Sequence, residues 1–234
     1  KFPDSDTLNR YVARVSNRQC LLSFSCGKDS IGAWLRLREY FDDILPYYLY
    51  PIPDLEFIEE SLTYYEQYFG TRILRIPHPS LYRWLNNLVF QPPDRWPTIQ
   101  DLNLASFDYD DINAILKHDH SLPDPTYQAS GVRMNDSLQR RTAMLTHGPL
   151  NERRQTFCPV FDWTADDLYN AIQRADVKLP IDYKWFGRTF DGIDYRFLKP
   201  IKDHAPRDYQ RILEWFPLAD LEIFRRECRK AHQP

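Results

Sequence analysis

Cys20-Leu21-Leu22-Ser23-Phe24-Ser25-Cys26-Gly27-Lys28-Asp29-Ser30 is the stretch from which the rest of this chain is best read. Its apolar first half has the length of a buried strand, and Ile31, Ala33, Trp34, Leu35 and Leu37 recur beyond it as on a helix of about three turns. Strand, short polar turn and helix therefore follow in order. In an open parallel sheet that junction lies outside the carboxyl end of a strand, where ligands bind. The turn also presents backbone N–H groups at a helix N-terminus, whose donors and partial positive charge suit a phosphate. The chain has only seven glycines, which makes the position of Gly27 informative: it lets the backbone approach an anion closely. Ser25 and Ser30 add hydroxyls and Lys28 adds charge, so Ser23, Ser25, Cys26, Gly27, Lys28, Asp29 and Ser30 are the candidate phosphate-binding positions. Asp29 is the odd member, because a carboxylate repels phosphate unless a divalent cation or the helix dipole compensates. It reads either as part of a metal-bridged triphosphate site or as a helix-capping residue.

Outward from this stretch the pattern repeats. On its N-terminal side Leu8, Tyr11, Val12 and Val15 keep helical spacing. On the other side Ile44 to Tyr50 reads as a second strand, ended by Pro51 and Pro53. Ile58, Leu62, Tyr65 and Phe69 then mark a helix whose first turns carry Glu56, Glu59 and Glu60, where the dipole favours negative charge, and Gly70 closes it. Thr71 to Ile76 reads as a third strand and Leu81 to Val89 as a further helix. Such alternation predicts the α/β class, with an open, mostly parallel twisted sheet covered by helices on both faces. Residues 91–125, rich in proline and aspartate, interrupt the rhythm as an insertion or an irregular helical excursion. Tyr127 to Val132 reads as a strand, a basic helix begins near Ser137, and Phe157 to Phe161 reads as another strand. Thr164-Ala165-Asp166-Asp167 then opens a helix as a variant capping box. The expected organisation is one nucleotide-binding domain over 1–190, followed by a Pro- and aromatic-rich segment, 191–234, packed on it as an irregular C-terminal region with a helix near Ala219 to Lys230.

Composition narrows the function classes. With 43% hydrophobic residues, 15 Tyr, 14 Phe and 6 Trp in 234 residues, the chain folds without staples. Thirty basic against 33 acidic residues leaves a charge of −3, too near neutral for the uniform field of a non-specific nucleic-acid or anionic-membrane binder. No window approaches the roughly 18 to 20 unbroken apolar residues of a membrane span. Lys1 rather than Met stands first, which leaves room for a trimmed upstream segment carrying a targeting signal. Cys20, Cys26, Cys158 and Cys228 lie far apart with no C-x-x-C, so neither a structural zinc nor an iron–sulfur cluster is expected, and a reducing, cytoplasmic setting fits. His78, His118, His120, His147 and His204 show no ligand spacing beyond the weak His118-Asp119-His120, read as surface.

Ser25-Cys26-Gly27-Lys28-Asp29-Ser30 resembles the S-G-G-x-D-S phosphate loop of the PP-loop superfamily, with Cys26 in place of the first glycine; that superfamily includes the ATP pyrophosphatases and phosphoadenosine phosphosulfate (PAPS) reductase. It is not the G-x-x-x-x-G-K-[ST] loop, whose first glycine and spacing are missing. Three further segments are similar to the PAPS reductase-like branch, in the right order. Leu55-Glu56-Phe57-Ile58-Glu59-Glu60 resembles its L-E-F-P-E-T, although the preceding D-T-G is here Ile52-Pro53-Asp54. Gly131-Val132-Arg133-Met134-Asn135-Asp136-Ser137, with Arg140 and Arg141, resembles its G-x-R-x-x-E-S and downstream arginines. Pro159-Val160-Phe161-Asp162-Trp163-Thr164, with Asp166, Asp167 and Leu168, resembles its P-x-x-D-W-T-x-x-D-[VL].

The resemblance implies a Rossmann-like PP-loop fold, adenine nucleotide binding and a place in sulfur metabolism. Gly131, Arg133, Arg140 and Arg141 join the candidate site, the arginines, Arg133 foremost, as a cationic wall facing the phosphate loop, the alternative being a solvated basic helix face. Asp162 and Trp163 read as structural. Glu56 suits a cation or simply a helix N-terminus. Two reactions are implied. PP-loop ATP users cleave between the α and β phosphates, adenylate an acceptor and release pyrophosphate, with Asp29 in the catalytic loop and magnesium assisting. The reductases attack the sulfur of PAPS with a cysteine from a C-terminal E-C-G-x-H, resolved by a thioredoxin-like partner. Here the tail is Glu227-Cys228-Arg229-Lys230-Ala231-His232. Cys228 is the candidate nucleophile there, activated by Arg225, Arg226, Arg229 and Lys230, or a chance cysteine on a basic helix. The Lys28-Asp29-Ser30 ending of the loop looks more like the ATP users. A non-catalytic nucleotide-binding subunit, working with a protein partner or as a homodimer, is the third reading; nucleic acid receives little support from the charge.

Overall fold

The computed structural model describes residues 2–231. Its sheet contains β1 (Gln19–Ser23), β2 (Asp43–Tyr50), β3 (Leu74–Pro77), β4 (Tyr127–Ser130), β5 (Leu150–Asn151) and β6 (Thr156–Phe157), in the spatial order β3-β2-β1-β4-β6-β5. β1 runs parallel to both β2 and β4, β4 runs parallel to β6, and β5 lies antiparallel to β6. The helices are α1 (Ser5–Val15), α2 (Lys28–Leu37), α3 (Glu56–Phe69), α4 (Pro79–Asn86), α5 (Trp96–Leu102), α6 (Tyr109–Asp119), α7 (Leu138–His147), α8 (Ala165–Arg174), α9 (Asp182–Phe186), α10 (Tyr195–His204), α11 (Pro206–Trp215) and α12 (Asp220–Ala231). This is the α/β architecture with a mostly parallel sheet that the strand–helix alternation predicts.

Two compact units divide the chain, both discontinuous in sequence. The first, 1–49, 65–76 and 109–179, holds nearly all of the sheet. Cys20, Leu21 and Leu22 of β1 are buried without alternation, the signature of a central parallel strand covered on both faces. Beside it Trp34 stacks on Phe69 at 3.9 Å, and Phe24 meets the edges of Trp34 and Tyr65 at 4.9 and 5.1 Å. These rings explain the heavy aromatic content: large areas are buried by few residues. α1 starts on the Asp4 carboxylate, which accepts the Thr7 N–H at 2.7 Å, and α8 starts on a capping box in which Thr164 and Asp167 satisfy each other's backbone N–H groups.

The second unit comprises 50–64, 77–108 and 180–234. Phe57, Trp185, Phe186, Phe190 and Phe197 form its aromatic cluster. The buried Asp208 carboxylate accepts the N–H groups of Glu56 at 2.7 Å and Phe57 at 3.1 Å, satisfying the first turn of α3. Asp182, 1% exposed, accepts the Phe190 N–H at 2.8 Å.

Several segments differ from the sequence reading, among them β5, which it does not contain, and β3 and β4, whose bounds are Leu74–Pro77 and Tyr127–Ser130. The strand expected from Phe157 to Phe161 ends at Phe157, after which Phe161 and Trp163 N–H groups close turns onto Cys158 and Val160. Residues 91–125 carry two helices, α5 and α6, and a 3-10 turn at Pro93–Arg95.

Candidate functional site

The strand order reverses beside β1: β2 and β3 lie to one side, and β4 lies to the other. Such a reversal opens a crevice at the carboxyl ends of the two strands flanking it. β1 and β4 are in register there, Ser23 opposite Ser130, so the turn after β1 and the segment after β4 leave the sheet side by side.

The turn after β1 is closed by its own side chains. Ser25 donates to the Ser30 hydroxyl through its backbone N–H at 3.3 Å and through its own hydroxyl at 3.2 Å, and Ser30 Oγ donates to the Gly27 carbonyl at 2.9 Å. Gly27 is the N-cap of α2 with no side chain to cap it, and Ile31 N–H to Gly27 O, 2.9 Å, is the first bond of the helix. The N–H groups of Lys28, Asp29 and Ser30 precede that bond and lie outside the helical ladder. Cys26, which stands at the first glycine of the S-G-G-x-D-S pattern, adopts φ +58° and is buried. A side chain in this left-handed region costs of order 1 kcal/mol or more. The glycine-like backbone is kept although the glycine is not.

Asp29 does not cap the helix. Its carboxylate receives Lys28 Nζ at 2.9 Å and Arg133 Nε at 2.7 Å. Arg133, 5% exposed at its side chain, is held on every side: Nη2 pairs with Asp136 at 2.6 Å, Nη1 donates to the Trp163 carbonyl at 3.2 Å, and Met134 N–H fixes the segment on Phe161 O at 2.8 Å. Asp136 also receives Arg140 Nη1 at 2.6 Å. Arg133 thus reaches the loop, Arg140 is reached only through Asp136, and Arg141 sits exposed on α7. Asp136 is the residue that sequence reasoning missed. It occupies the glutamate place of G-x-R-x-x-E-S, and its carboxylate joins two of the three arginines.

Gly131 serves the site through its lack of a side chain. A Cβ there would stand 2.6 Å from the backbone carbonyl of Asp29 and 2.7 Å from Ser30 N, so only glycine lets the segment after β4 lie against the start of α2. Asp162 accepts the Ser5 N–H at 2.9 Å at the start of α1, and Trp163 offers its carbonyl to Arg133 and to Asn135 Nδ2. The P-x-x-D-W-T element therefore works by positioning. Cys158 lies beside the site at the end of β6, its Sγ 3.6 Å from Ser130 Oγ, and burial pushes its thiol pKa up.

The remaining candidates lie in the second unit. Cys228 is half-buried on α12, where its neighbours Arg225 and Arg226 both engage Glu222; His232 lies outside the described residues. Glu56 pairs with Arg211 at 3.1 Å. His78 accepts the Ser80 N–H at 2.9 Å as the N-cap of α4, and burial lowers its pKa. No helix of the described residues is long and apolar enough to cross a membrane.

No protein-family model matches the chain, and no curated protein matches it in sequence. Solved structures with a similar fold include the U34-tRNA thiolase NcsA from Methanococcus maripaludis with its [4Fe–4S] cluster, 13% identical over 92% of this chain and 78% of that one, with a TM-score of 0.49. Another is the NH3-dependent NAD synthetase from Campylobacter jejuni in complex with the nitrate ion, 12% identical over 98% and 94% of the two chains, with a TM-score of 0.45. The expectation of no iron–sulfur cluster is corrected by this comparison, since NcsA carries a [4Fe–4S] cluster. Among the described residues no three His, Cys, Asp or Glu side chains are grouped to hold a metal.

Proposed function

We propose that the chain is a PP-loop enzyme that binds ATP in the turn after β1 and cleaves it between the α and β phosphates. A nucleophile on an acceptor attacks the α phosphorus, the bond from that phosphorus to the bridging oxygen breaks, and pyrophosphate leaves with the electron pair. The acceptor is left adenylated. The observation that carries this reading is the meeting of the Ser25–Ser30 turn with the Gly131–Arg133 segment at the strand-order reversal, closed at 2.7 Å between Asp29 and Arg133.

Each part has a role in the reading. The first N–H groups of α2 and the hydroxyls of Ser25 and Ser30 hold the β and γ phosphates, stabilising the charge that grows on the leaving pyrophosphate. A polyphosphate entering the turn competes with Asp29 for the Nε edge of Arg133, while Asp136 keeps the other edge and so the orientation of the guanidinium. Cys26 and Gly131 shape the backbone and make no bond to the nucleotide.

Incubation with ATP, supplied as its magnesium salt, and a panel of acceptors is expected to yield AMP, free or transferred, and pyrophosphate. ADP as sole product, or tight ATP binding with no turnover on any acceptor, would overturn the reading, the latter in favour of a non-catalytic subunit. Calorimetric titration with ATP, PAPS and adenylyl sulfate completes the test: preference for PAPS would move the protein to sulfonucleotide reduction.

A further inference from the structure

Apart from the loop after β1, the first unit contains a cavity of about 650 Å³ lined by Asp110, Asn113, Ala114 and Lys117 of α6 and by Asn151, Arg153, Arg154 and Gln155 of the β5–β6 turn. The α6 residues fall at i, i+3, i+4 and i+7, one stripe of the helix. The neighbouring stripe, with Ile112 and Leu116, is buried in the core. The residue stretch that the sequence left unplaced thus supplies one wall of a polar basin.

The chemistry of the lining is one-sided. Three cations face one carboxylate, in a chain whose net charge is −3. Arg154 binds that carboxylate, placing Nε and Nη2 at 3.0 and 2.8 Å from Asp110 Oδ1. Arg153 has no ion-pair partner among the described residues. Lys117 is half-buried and donates to a neutral acceptor, Gln155 Oε1; Asp124 lies nearby, bonded to Gln155 Nε2 at 2.6 Å. Burial lowers the Lys117 pKa, which is the cost of partly desolvating an ammonium. Asn113 is the most telling member. Only 6% exposed, it lines the cavity with its Oδ1 taken by the Tyr47 hydroxyl at 3.1 Å, and its amide donors have no acceptor among the described residues. Asn151 Oδ1 is likewise taken, by the Arg154 backbone N–H at 3.0 Å. With both amide oxygens taken by protein donors, the lining offers hydrogen bonds and positive charge and accepts few.

We infer that this basin binds a phosphate ester or inorganic polyphosphate of metabolite size, with Lys117 and Arg153 meeting its charge and Asn113 Nδ2 donating to one of its oxygens. Doubly charged oxyanions satisfy several donors at once, and the volume exceeds what a single phosphate fills. The inference is independent of the reading of the loop after β1.

Hydrogen–deuterium exchange during titration with pyrophosphate reads the two regions separately in the full chain. The expected result is protection over residues 109–119 and 150–156. Lys117→Gln and Arg153→Gln should each weaken it about tenfold, the worth of a charge-assisted hydrogen bond, with protection over 24–31 unmoved. Arg153 is an exposed turn residue and its replacement leaves the fold intact, so the test survives if Lys117→Gln does not fold. AMP in place of pyrophosphate should protect the same residues. No protection there at millimolar pyrophosphate, or protection indifferent to both variants, would overturn the inference. So would protection by a single-stranded oligonucleotide that neither small phosphate reproduces, which would make the basin a nucleic-acid contact.

Discussion

Two charge clusters in the same unit are built on opposite plans. Around Asp29 and Asp136 the carboxylates are matched by Arg133, Arg140 and Lys28, and Arg133 is enclosed by its partners. Around Lys117 and Arg153 three cations line a cavity with one carboxylate, Asp110, which Arg154 already holds. The first cluster is a framework: its arginines are oriented before any ligand arrives, and a ligand must displace a carboxylate to use them. The second has more cations than carboxylates along its lining, and Arg153 is left without an ion-pair partner among the described residues. A count of arginines in sequence cannot tell one from the other, because what differs is the number of aspartates within reach. Three arginines near one motif suggested a cationic wall; in the fold two of them are already paired, and the surplus lies on α6 and the β5–β6 turn, which carry no motif.

The largest break in this contrast comes from removing the centre of the framework. Arg133→Ala leaves Asp29 and Asp136 facing each other's surroundings without their shared cation, and is expected to lower stability by about 3 kcal/mol, as for other enclosed pairs that lose one member. Urea unfolding measures it, and a loss under 1 kcal/mol would mean that the pairs are ornamental.

Asp182 in the second unit sharpens the contrast as a third case, a carboxylate neither paired with a cation nor open to solvent. Burial raises its pKa from 3.8 to about 6, against the opposing pull of the Phe190 N–H. The folded chain therefore holds this proton more tightly than the unfolded chain. Its contribution favours the fold below pH 4 and is lost as pH rises from about 4 to 6, roughly 3 kcal/mol in all. Asp4, Asp6 and Glu66, whose pKa values are lowered, act in the opposite sense, so the quantity to measure is the difference between the wild type and Asp182→Asn across that range. A difference independent of pH would show that Asp182 is charged in the fold throughout.

The smallest effect is expected at the rim. Arg140→Ala removes an exposed partner of Asp136 and should cost no more than about 0.5 kcal/mol, with Arg133 still in place. A loss comparable with that of Arg133→Ala, in the same urea titration, would make the two arginines one cooperative unit.

What could be read from the sequence, and what could not, follows from the range of the interactions. The strand from Cys20, the turn and α2 are specified by neighbours a few residues apart, and so are the Thr164 capping box and the closure at Gly70, which takes φ +69°. The α5 and α6 stretch was obscured because its prolines and aspartates read as breakers. In the fold Pro97 occupies the first turn of α5, and Asp110 and Asp111 the first turn of α6, where both residue types favour a helix. β5 and β6 are two residues each, too short for any periodicity to register. At the site, the loop was legible because backbone and serine chemistry are local. The link between Asp29 and Arg133 was not, because the two lie 104 residues apart in sequence and 2.7 Å apart in space.

One bond pair described above bears on how the chain is to be handled. Asp208 closes the first turn of α3 from a point more than 150 residues downstream, and Arg211 adds the Asp54 carbonyl at 2.5 Å. The segment around Asp208 is accordingly a keystone for a helix encoded early, so a shortened gene product ending before Asp208 would begin α3 without that carboxylate on its first amides.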